Sequence, residues 1–198
     1  MHARIQVAHF DTEAKRPSSA WVRGVNALLP DSVAVLWSHE VPDDFHARYS
    51  ALARTYRYEL LNRPVRPALL ARYVGWFHLP LNVEKMREAA ALLVGEHDFS
   101  AFRSAECQAK TPVRTVHSVE VLQQAQNIQF LVRANAFLHH MVRNIVGTLV
   151  YVGKDKHPPQ WVEEVLRAKD RTKAAPTFGP EGLYLEKIEY HAKWGLPL

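Results

Sequence analysis

The fold class is decided by residues 116–133, which read VHSVEVLQQAQNIQFLVR. Two runs rich in apolar and β-branched residues, from Val116 to Leu122 and from Ile128 to Arg133, flank a short polar loop. Such runs are typical of strands, and the short loop between them predicts a hairpin. The most apolar helical stretch of the chain, from Phe137 to Val152, follows directly and can cover one face of that hairpin.

Outward from this hairpin, further strand-like and helix-like segments alternate along the chain. Strands are predicted for Ile5 to Phe10, Val33 to Val41, Ala53 to Leu61, Arg72 to His78 and Leu183 to Tyr190. Helices are predicted from Ser18 or Ser19 as N-cap to Leu29, from Asn82 as N-cap towards Gly95, and from Pro158 and Pro159 to Lys169. Together these segments predict an α+β fold with a mixed, largely antiparallel sheet and helices packed on one face.

The composition places limits on the class of protein. With 198 residues, 47% of them hydrophobic and 23% charged, the chain can bury a sizeable core. Cys107 is the only cysteine, so no disulfide framework is expected, and no apolar run approaches the length of a membrane span. We therefore expect a cytoplasmic protein. The net charge of +5 suits a polyanionic partner, but a basic protein indifferent to RNA remains an equal alternative on charge alone.

Arg54, Tyr56 and Tyr58 fall on one face of the predicted strand in ARTYRYEL, because side chains alternate along a strand. A cation beside two aromatic rings can hold an RNA base, with the rings stacked on the base and the cation near phosphate. The alternative is that both tyrosines are core residues with satisfied hydroxyl groups. From the strand alone, the core interpretation is favoured.

Arg143 lies beside an apolar stripe of the predicted helix in FLHHMVRNIVG. A buried arginine requires a carboxylate, and no acidic residue is near Arg143 in sequence, so its partner must come from elsewhere in the fold. The alternative is a side chain that extends to water. A metal site is not expected, because there is one cysteine and no His-Glu-x-x-His pattern.

The segment from Arg103 to Thr115 is polar and basic and shows no periodicity. These features predict a surface loop, which either contacts RNA or only connects two elements.

Several motifs resemble the tRNA pseudouridine synthases of the TruA type, in the family's order and spacing. They are QVAHFDT, WVRGVNALLP, FHARYSALARTYRYEL, HDFSAFR, NAFLHHMVRNIVG and EGLYL, and the resemblance runs from His2 to about Tyr190. It implies the pseudouridine synthase fold and isomerisation of uridine to pseudouridine in the anticodon stem-loop of tRNA, at positions 38–40 of the tRNA. It also implies a homodimer, no cofactor, no metal, and a target base that leaves its stack.

The resemblance assigns roles to particular residues. Tyr56 matches the family's active-site tyrosine, Arg143 matches the arginine that pairs with the nucleophilic Asp, and Leu183 matches an apolar residue of the same pocket. Candidates for RNA phosphate contacts are the basic residues Arg54, Arg103, Lys110 and Arg114.

The sequence departs from the family at its start. The catalytic motif reads Gly-Arg-Thr-Asp-x-Gly-Val-His-Ala, of which only His2 and Ala3 remain, with Met1 in the Val place. We interpret the chain as N-terminally truncated, without the first strand, helix and catalytic loop, and we expect it to be inactive and unstable alone. Residues 1–62 are expected to be the remainder of an N-terminal subdomain and residues 63–198 a C-terminal subdomain sharing its sheet. The alternative function is a non-catalytic tRNA-binding module.

Overall fold

The computed structural model describes residues 1–198 and contains one mixed sheet and four α-helices. The strands are β1 (His2–Ala3), β2 (Ala51–Asn62), β3 (Gly75–Phe77), β4 (Gly95–Asp98), β5 (Val113–Gln124), β6 (Asn127–Ala134) and β7 (Leu183–Tyr190). The helices are α1 (Ser18–Asn26), α2 (Val83–Ala91), α3 (Met141–Gly153) and α4 (Trp161–Ala168). None of these helices is both long and apolar enough to cross a membrane.

The strands form a sheet in the order β1-β7-β2-β6-β5-β4, and β3 pairs with β2 off this path. Neighbours along β2, β6, β5 and β4 are antiparallel, whereas β1 with β7 and β2 with β3 are parallel. The predicted hairpin is confirmed as β5 and β6, which pair from Gln124 and Asn127 outward. The predicted fold class, α+β with a largely antiparallel sheet, is confirmed.

The main core lies between one face of the sheet and helices α2, α3 and α4. On β6 every second side chain is buried, namely Ile128, Phe130, Val132 and Ala134, as expected for a strand with one face covered. Eleven of the thirteen residues of α3 are buried, which makes α3 the central helix of this core.

The chain divides into two compact units. The larger unit contains residues 1–6 and 52–189, with nearly the whole sheet and helices α2 to α4. The smaller unit contains residues 7–51 and 190–198, where the Tyr190 hydroxyl donates to the Ala47 carbonyl at 2.6 Å and Phe45 packs against Trp194. These units do not follow the expected subdomain boundary between residues 62 and 63, which stays a prediction.

Two predicted strands in the smaller unit are wrong. Residues 5–10 and 33–41 form no strand, and only His2–Ala3 pairs with the sheet near the start of the chain. A strand exists only where a neighbour takes its backbone hydrogen bonds, and alternation of side chains does not supply that neighbour. Around Val35 the Asn26 side chain takes the place of a neighbour, because it accepts from Val35 N at 2.7 Å and donates to Val35 O at 2.9 Å.

The helix boundaries were predicted with mixed success. Asn82 caps α2 as predicted, accepting from Lys85 N at 3.1 Å. The predicted serine cap of α1 is wrong, because Pro17 stands at the cap position and Ser18 already belongs to the helix. Helix α3 begins at Met141 and not at Phe137, since His140 adopts a left-handed conformation with φ of 63°. Gly95 has φ of 117°, but it opens β4, four residues after α2 ends.

Candidate active site and RNA-contact residues

Strand β2 presents Tyr56 and Tyr58 on its core-facing side. Tyr56 is half-buried, and its ring lies edge-on against Phe137, with 4.9 Å between centroids. Tyr58 is fully buried, and its hydroxyl donates to the Gly179 carbonyl at 2.8 Å. The core interpretation of Tyr58 is therefore confirmed, whereas Tyr56 keeps part of its ring accessible.

Arg143 lies on α3 on the same side of the sheet as Tyr58. Its Nε donates to the Phe178 carbonyl at 2.7 Å, and the Phe178 ring packs edge-on against Tyr58, with 5.8 Å between centroids. The half-buried guanidinium has no carboxylate oxygen of residues 1–198 within 4.0 Å. A backbone carbonyl thus satisfies one N–H of Arg143, and the charge itself has no anionic partner in close contact.

Opposite charges act on the hydroxyl of Tyr58. Burial raises the pKa of Tyr58 well above its usual range, the Glu181 carboxylate adds to that rise, and Arg143 opposes it. Burial also raises the pKa of Tyr56, against the lowering effect of Arg54. Both phenols are therefore neutral at pH 7. Tyr56, whose ring is partly accessible, is thus the one that can pack against a base.

Leu183, the first residue of β7, is buried in the same core cluster as Tyr58. The preceding Gly182 allows this close packing, because a Cβ at that position would lie 2.2 Å from Glu59 O and 2.7 Å from Gly75 N. Arg143 is linked to Tyr58 through Phe178, Tyr56 lies two residues from Tyr58 on the same face of β2, and Leu183 belongs to the same core cluster as Tyr58.

A polar network behind Arg143 was not predicted from the sequence. The fully buried Asn144 donates to Phe102 O at 2.7 Å, and its Oδ1 accepts from Arg171 at 3.1 Å and from Thr177 at 2.7 Å. This network ties residues 174–178 to α3. The signal that could have revealed it is one amide side chain inside the most apolar helix, because a buried amide must find partners.

The four candidates for RNA phosphate contacts lie in different settings. Arg54 is half-buried on β2, and Lys110 is exposed in the loop before β5. Arg103 donates to Cys107 O at 2.5 Å, and Arg114 donates to Thr111 O at 2.8 Å and to Val113 O at 2.5 Å. Arg103 and Arg114 therefore also brace the loop backbone, and only residues 103–112 of the predicted loop are outside regular strands.

Cys107 is buried within this loop and faces several donors. Its Sγ accepts from His139 N at 3.4 Å. Burial raises the pKa of the Cys107 thiol, but the backbone N–H groups of His139 and Ala109, together with Arg103 and Arg114, outweigh burial and leave the pKa below its usual range. No group of three or more His, Cys, Asp or Glu side chains is arranged to hold a metal ion.

Comparison with known proteins connects this geometry to a family. A family model described as tRNA pseudouridine synthase matches residues 89–191. The chain is 57% identical over 197 residues to tRNA pseudouridine synthase A of Nitrosomonas eutropha, and 58% identical over 197 residues to that of Dechloromonas aromatica. These matches cover 100% of the chain and 71% and 75% of the two relatives. The resemblance of the motifs is confirmed, and the chain belongs to the tRNA pseudouridine synthases, a family of isomerases.

Proposed function

We propose that residues 1–198 carry the uridine pocket and part of the tRNA-binding surface of a pseudouridine synthase that acts on the anticodon stem-loop. In this proposal Tyr56 packs against the flipped uridine, Leu183 lines the pocket, and Arg143 holds the nucleophilic carboxylate. One observation carries the proposal: Arg143 lies on the same side of the sheet as the two tyrosines, with no carboxylate oxygen within 4.0 Å of its guanidinium.

Residues 1–198 do not contain the nucleophilic Asp of the family's catalytic motif. In the proposed reaction the bond from the ribose to uracil N1 breaks, a bond from the ribose to uracil C5 forms, and C5 loses its hydrogen while N1 gains one. The carboxylate would act as the nucleophile, and the guanidinium of Arg143 would keep it ionised and oriented. We therefore expect the chain alone to bind tRNA without isomerising uridine. The proposed reaction needs no cofactor. Because the proposed substrate is tRNA, we also place the chain in the cytoplasm.

Tritium release from tRNA labelled at uridine C5 tests the proposal, because isomerisation frees that hydrogen. The chain alone should bind tRNA and release no tritium. A hybrid with the N-terminal segment of the Nitrosomonas eutropha relative placed before Met1 should release tritium, including in the presence of a chelator.

Within that hybrid, Arg143→Ala should lower turnover roughly 100-fold, because a misplaced reacting group typically has an effect of that order. Tyr56→Phe should lower turnover less, since the ring is kept. Tritium release by the chain alone, or full activity of Arg143→Ala, would contradict the assigned roles. A hybrid that binds tRNA without release would instead favour a non-catalytic tRNA-binding module.

We also propose that the chain forms a homodimer, because family members bind tRNA across two subunits. Light scattering after size-exclusion chromatography should give twice the mass of 22.6 kDa. A mass of one chain at micromolar concentration would contradict this proposal.

A further inference from the structure

A groove of about 520 Å³ lies between the end of α3, the start of α4 and residues 171–176. It is separate from the uridine pocket, since neither Tyr56 nor Arg143 lines it. Its volume falls in the range of sites that hold one small molecule or one nucleotide. The groove combines two features, parallel aromatic rings and a surplus of cations.

Three rings of the groove are nearly parallel. His157 stacks on Trp161, with 3.9 Å between centroids and 16° between planes. The Tyr151 ring lies 6.4 Å from each of them and is tilted by 13° from His157 and by 20° from Trp161. All three side chains are half-buried, and the Nζ atoms of Lys154 and Lys156 lie 3.8 Å and 4.7 Å from the centroid of the Tyr151 ring. A flat, partly exposed aromatic surface of this kind can take a nucleic-acid base by stacking.

Three cations also line the groove. Lys156 and Lys173 are exposed, and Arg171 is half-buried. None of the three has a carboxylate oxygen within 4.0 Å, and Asp170 is already engaged by Thr172 at 2.8 Å. Lys156 can be explained by its contact with the Tyr151 ring, where its Nζ lies 4.7 Å from the centroid. That explanation does not extend to Lys173, which belongs to the segment 171–176.

The groove also lies next to the proposed uridine pocket along the chain. Residues 174–176 form one wall, and the Phe178 carbonyl, two residues further on, accepts from Arg143. A second depression, lined by Arg103, Lys169 and Arg171 among others, shares Arg171 with the groove. Arg171 thus connects the depression that contains Arg103 with the groove that contains Lys156 and Lys173, although Asp170 also lines the depression and Lys169 pairs with Asp98 at 3.4 Å.

We propose that the groove lined by Tyr151, His157, Trp161, Lys156, Arg171 and Lys173 is a second RNA-contact site, which takes one nucleotide of tRNA outside the uridine pocket. The base stacks on the aromatic rings, and the flanking phosphates meet Lys156 and Lys173. This inference rests on the proposed function, because it takes tRNA as the ligand. RNA held there runs along residues 174–178 and so approaches Arg143.

Anisotropy of fluorescently labelled tRNA, measured with the chain at several salt concentrations, tests the site. The double variant Lys156→Ala with Lys173→Ala should lower affinity about fivefold or more, and should reduce the slope of log affinity against log salt by about 2. The matched control is Arg66→Ala with Lys187→Ala, which removes the same charge from exposed positions outside the groove. The control should change affinity less than twofold.

Trp161 provides an independent readout of stacking. Trp161→Leu should weaken tRNA binding about fivefold or more, in line with the loss of one stacked base, whereas Trp161→Phe should retain most of the affinity. Binding of tRNA should also quench tryptophan fluorescence, and part of that quenching should be missing in Trp161→Phe. The fluorescence readout does not depend on the stability of Trp161→Leu.

The outcomes separate this inference from the proposed function. Failure of the unaltered chain to bind tRNA would contradict the proposed function itself. Normal tRNA binding with unchanged affinity in the double variant, or equal losses in the double variant and its control, would overturn the groove alone. Quenching that is the same with and without Trp161 would overturn the stacking part of the proposal.

Discussion

Gly147 is a residue at which helix α3 and residues 174–178 approach closely. A Cβ at this position would lie 2.4 Å from Pro176 O, and the contact is with backbone, so no flexible side chain can move aside. The missing side chain therefore allows the segment that bears Phe178 to rest on α3. Arg143, one turn earlier on the helix, donates to the Phe178 carbonyl because of this close approach.

Gly147→Ala should therefore destabilise the protein. The crowding should cost about 1–3 kcal/mol, which outweighs the gain of roughly 0.5–1 kcal/mol from replacing glycine within a helix. The matched control is Gly24→Ala in α1, where no atom lies within 4 Å of the added Cβ, so only the gain remains. Thermal denaturation should show a lower Tm for the first variant and an unchanged or higher Tm for the second. Equal Tm values for Gly147→Ala and the unaltered chain would contradict the prediction that the added Cβ is crowded against Pro176 O.

Asn144 forms hydrogen bonds with three groups of the polar network that ties residues 174–178 to α3. Asn144→Leu removes the acceptor of Arg171 and Thr177 and the donor to Phe102 O. Each buried group left unsatisfied should cost roughly 1–3 kcal/mol. Thr148→Val, one turn away, removes only a hydroxyl that donates to Asn144 O, and should cost less. Urea denaturation compares the two, and similar losses would show that the network contributes little.

At the scale of elements, strands β2 and β7 are linked by ion pairs on the sheet face opposite the tyrosines. Glu186 accepts from Arg57 Nε at 2.8 Å and from Arg4 Nη1 at 2.8 Å, and Arg57 also pairs with Glu59. The Arg57 guanidinium lies 4.5 Å from the centroid of the Tyr184 ring. The alternation predicted for β2 is confirmed here, since Arg57 points away from Tyr56 and Tyr58.

These ion pairs predict a pH dependence of stability. Burial raises the pKa of Glu186, but hydrogen bonds from Arg57 and Arg4 outweigh burial and leave the pKa below its usual value of 4.5. A carboxylate with a lowered pKa in the folded state contributes stability above pH 4.5, and that contribution is lost as the pH falls through the folded-state pKa.

Glu186→Gln should consequently be less stable than the unaltered chain at pH 7, and the difference should shrink below about pH 4.5. Glu163→Gln serves as the control, because Glu163 pairs with an exposed arginine, Arg167, whose side chain is 77% accessible. An exposed pair of this kind contributes about 0–1 kcal/mol at any pH. Urea midpoints from pH 3 to pH 7 provide the measurement, and a constant difference for Glu186→Gln across this range would contradict the prediction.

At the scale of the whole molecule, the two compact units differ in how much apolar surface they bury. Helix α1 in the smaller unit has no buried residue, whereas α3 in the larger unit has eleven. The smaller unit contains long stretches without regular structure, from residue 7 to 17 and from 31 to 50. Local stability follows buried contacts, so the two units should open with different free energies.

Hydrogen exchange followed by mass spectrometry should show this difference directly. Amides of α1 should exchange within seconds to minutes, and amides of β6 and α3 should remain protected far longer. Peptides from β5 provide an internal reference, because β5 belongs to the same sheet as β6. Protection of α1 equal to that of α3 would contradict the prediction.

The sequence by itself determined the elements that depend on local patterns. The hairpin of β5 and β6, the aromatic strand β2, the cap at Asn82 and the closing strand β7 follow from periodicity and capping over a few residues. Tyr56, Arg143 and Leu183 were identified by resemblance to the family; in the structure Arg143 bonds to Phe178 O, the Phe178 ring packs on Tyr58, and Leu183 lies in the same core cluster as Tyr58.

Only the tertiary structure decided which segments pair as strands of the sheet and which distant side chains form hydrogen bonds. Residues 5–10 and 33–41 have strand-like patterns, but pairing requires a neighbour, and Asn26 occupies the hydrogen bonds of Val35 instead. The bond from Arg143 to Phe178 O spans 35 residues, and that from Asn144 to Arg171 spans 27. Contacts of this length are set by packing of the whole core, because no local rule relates residues so far apart along the chain.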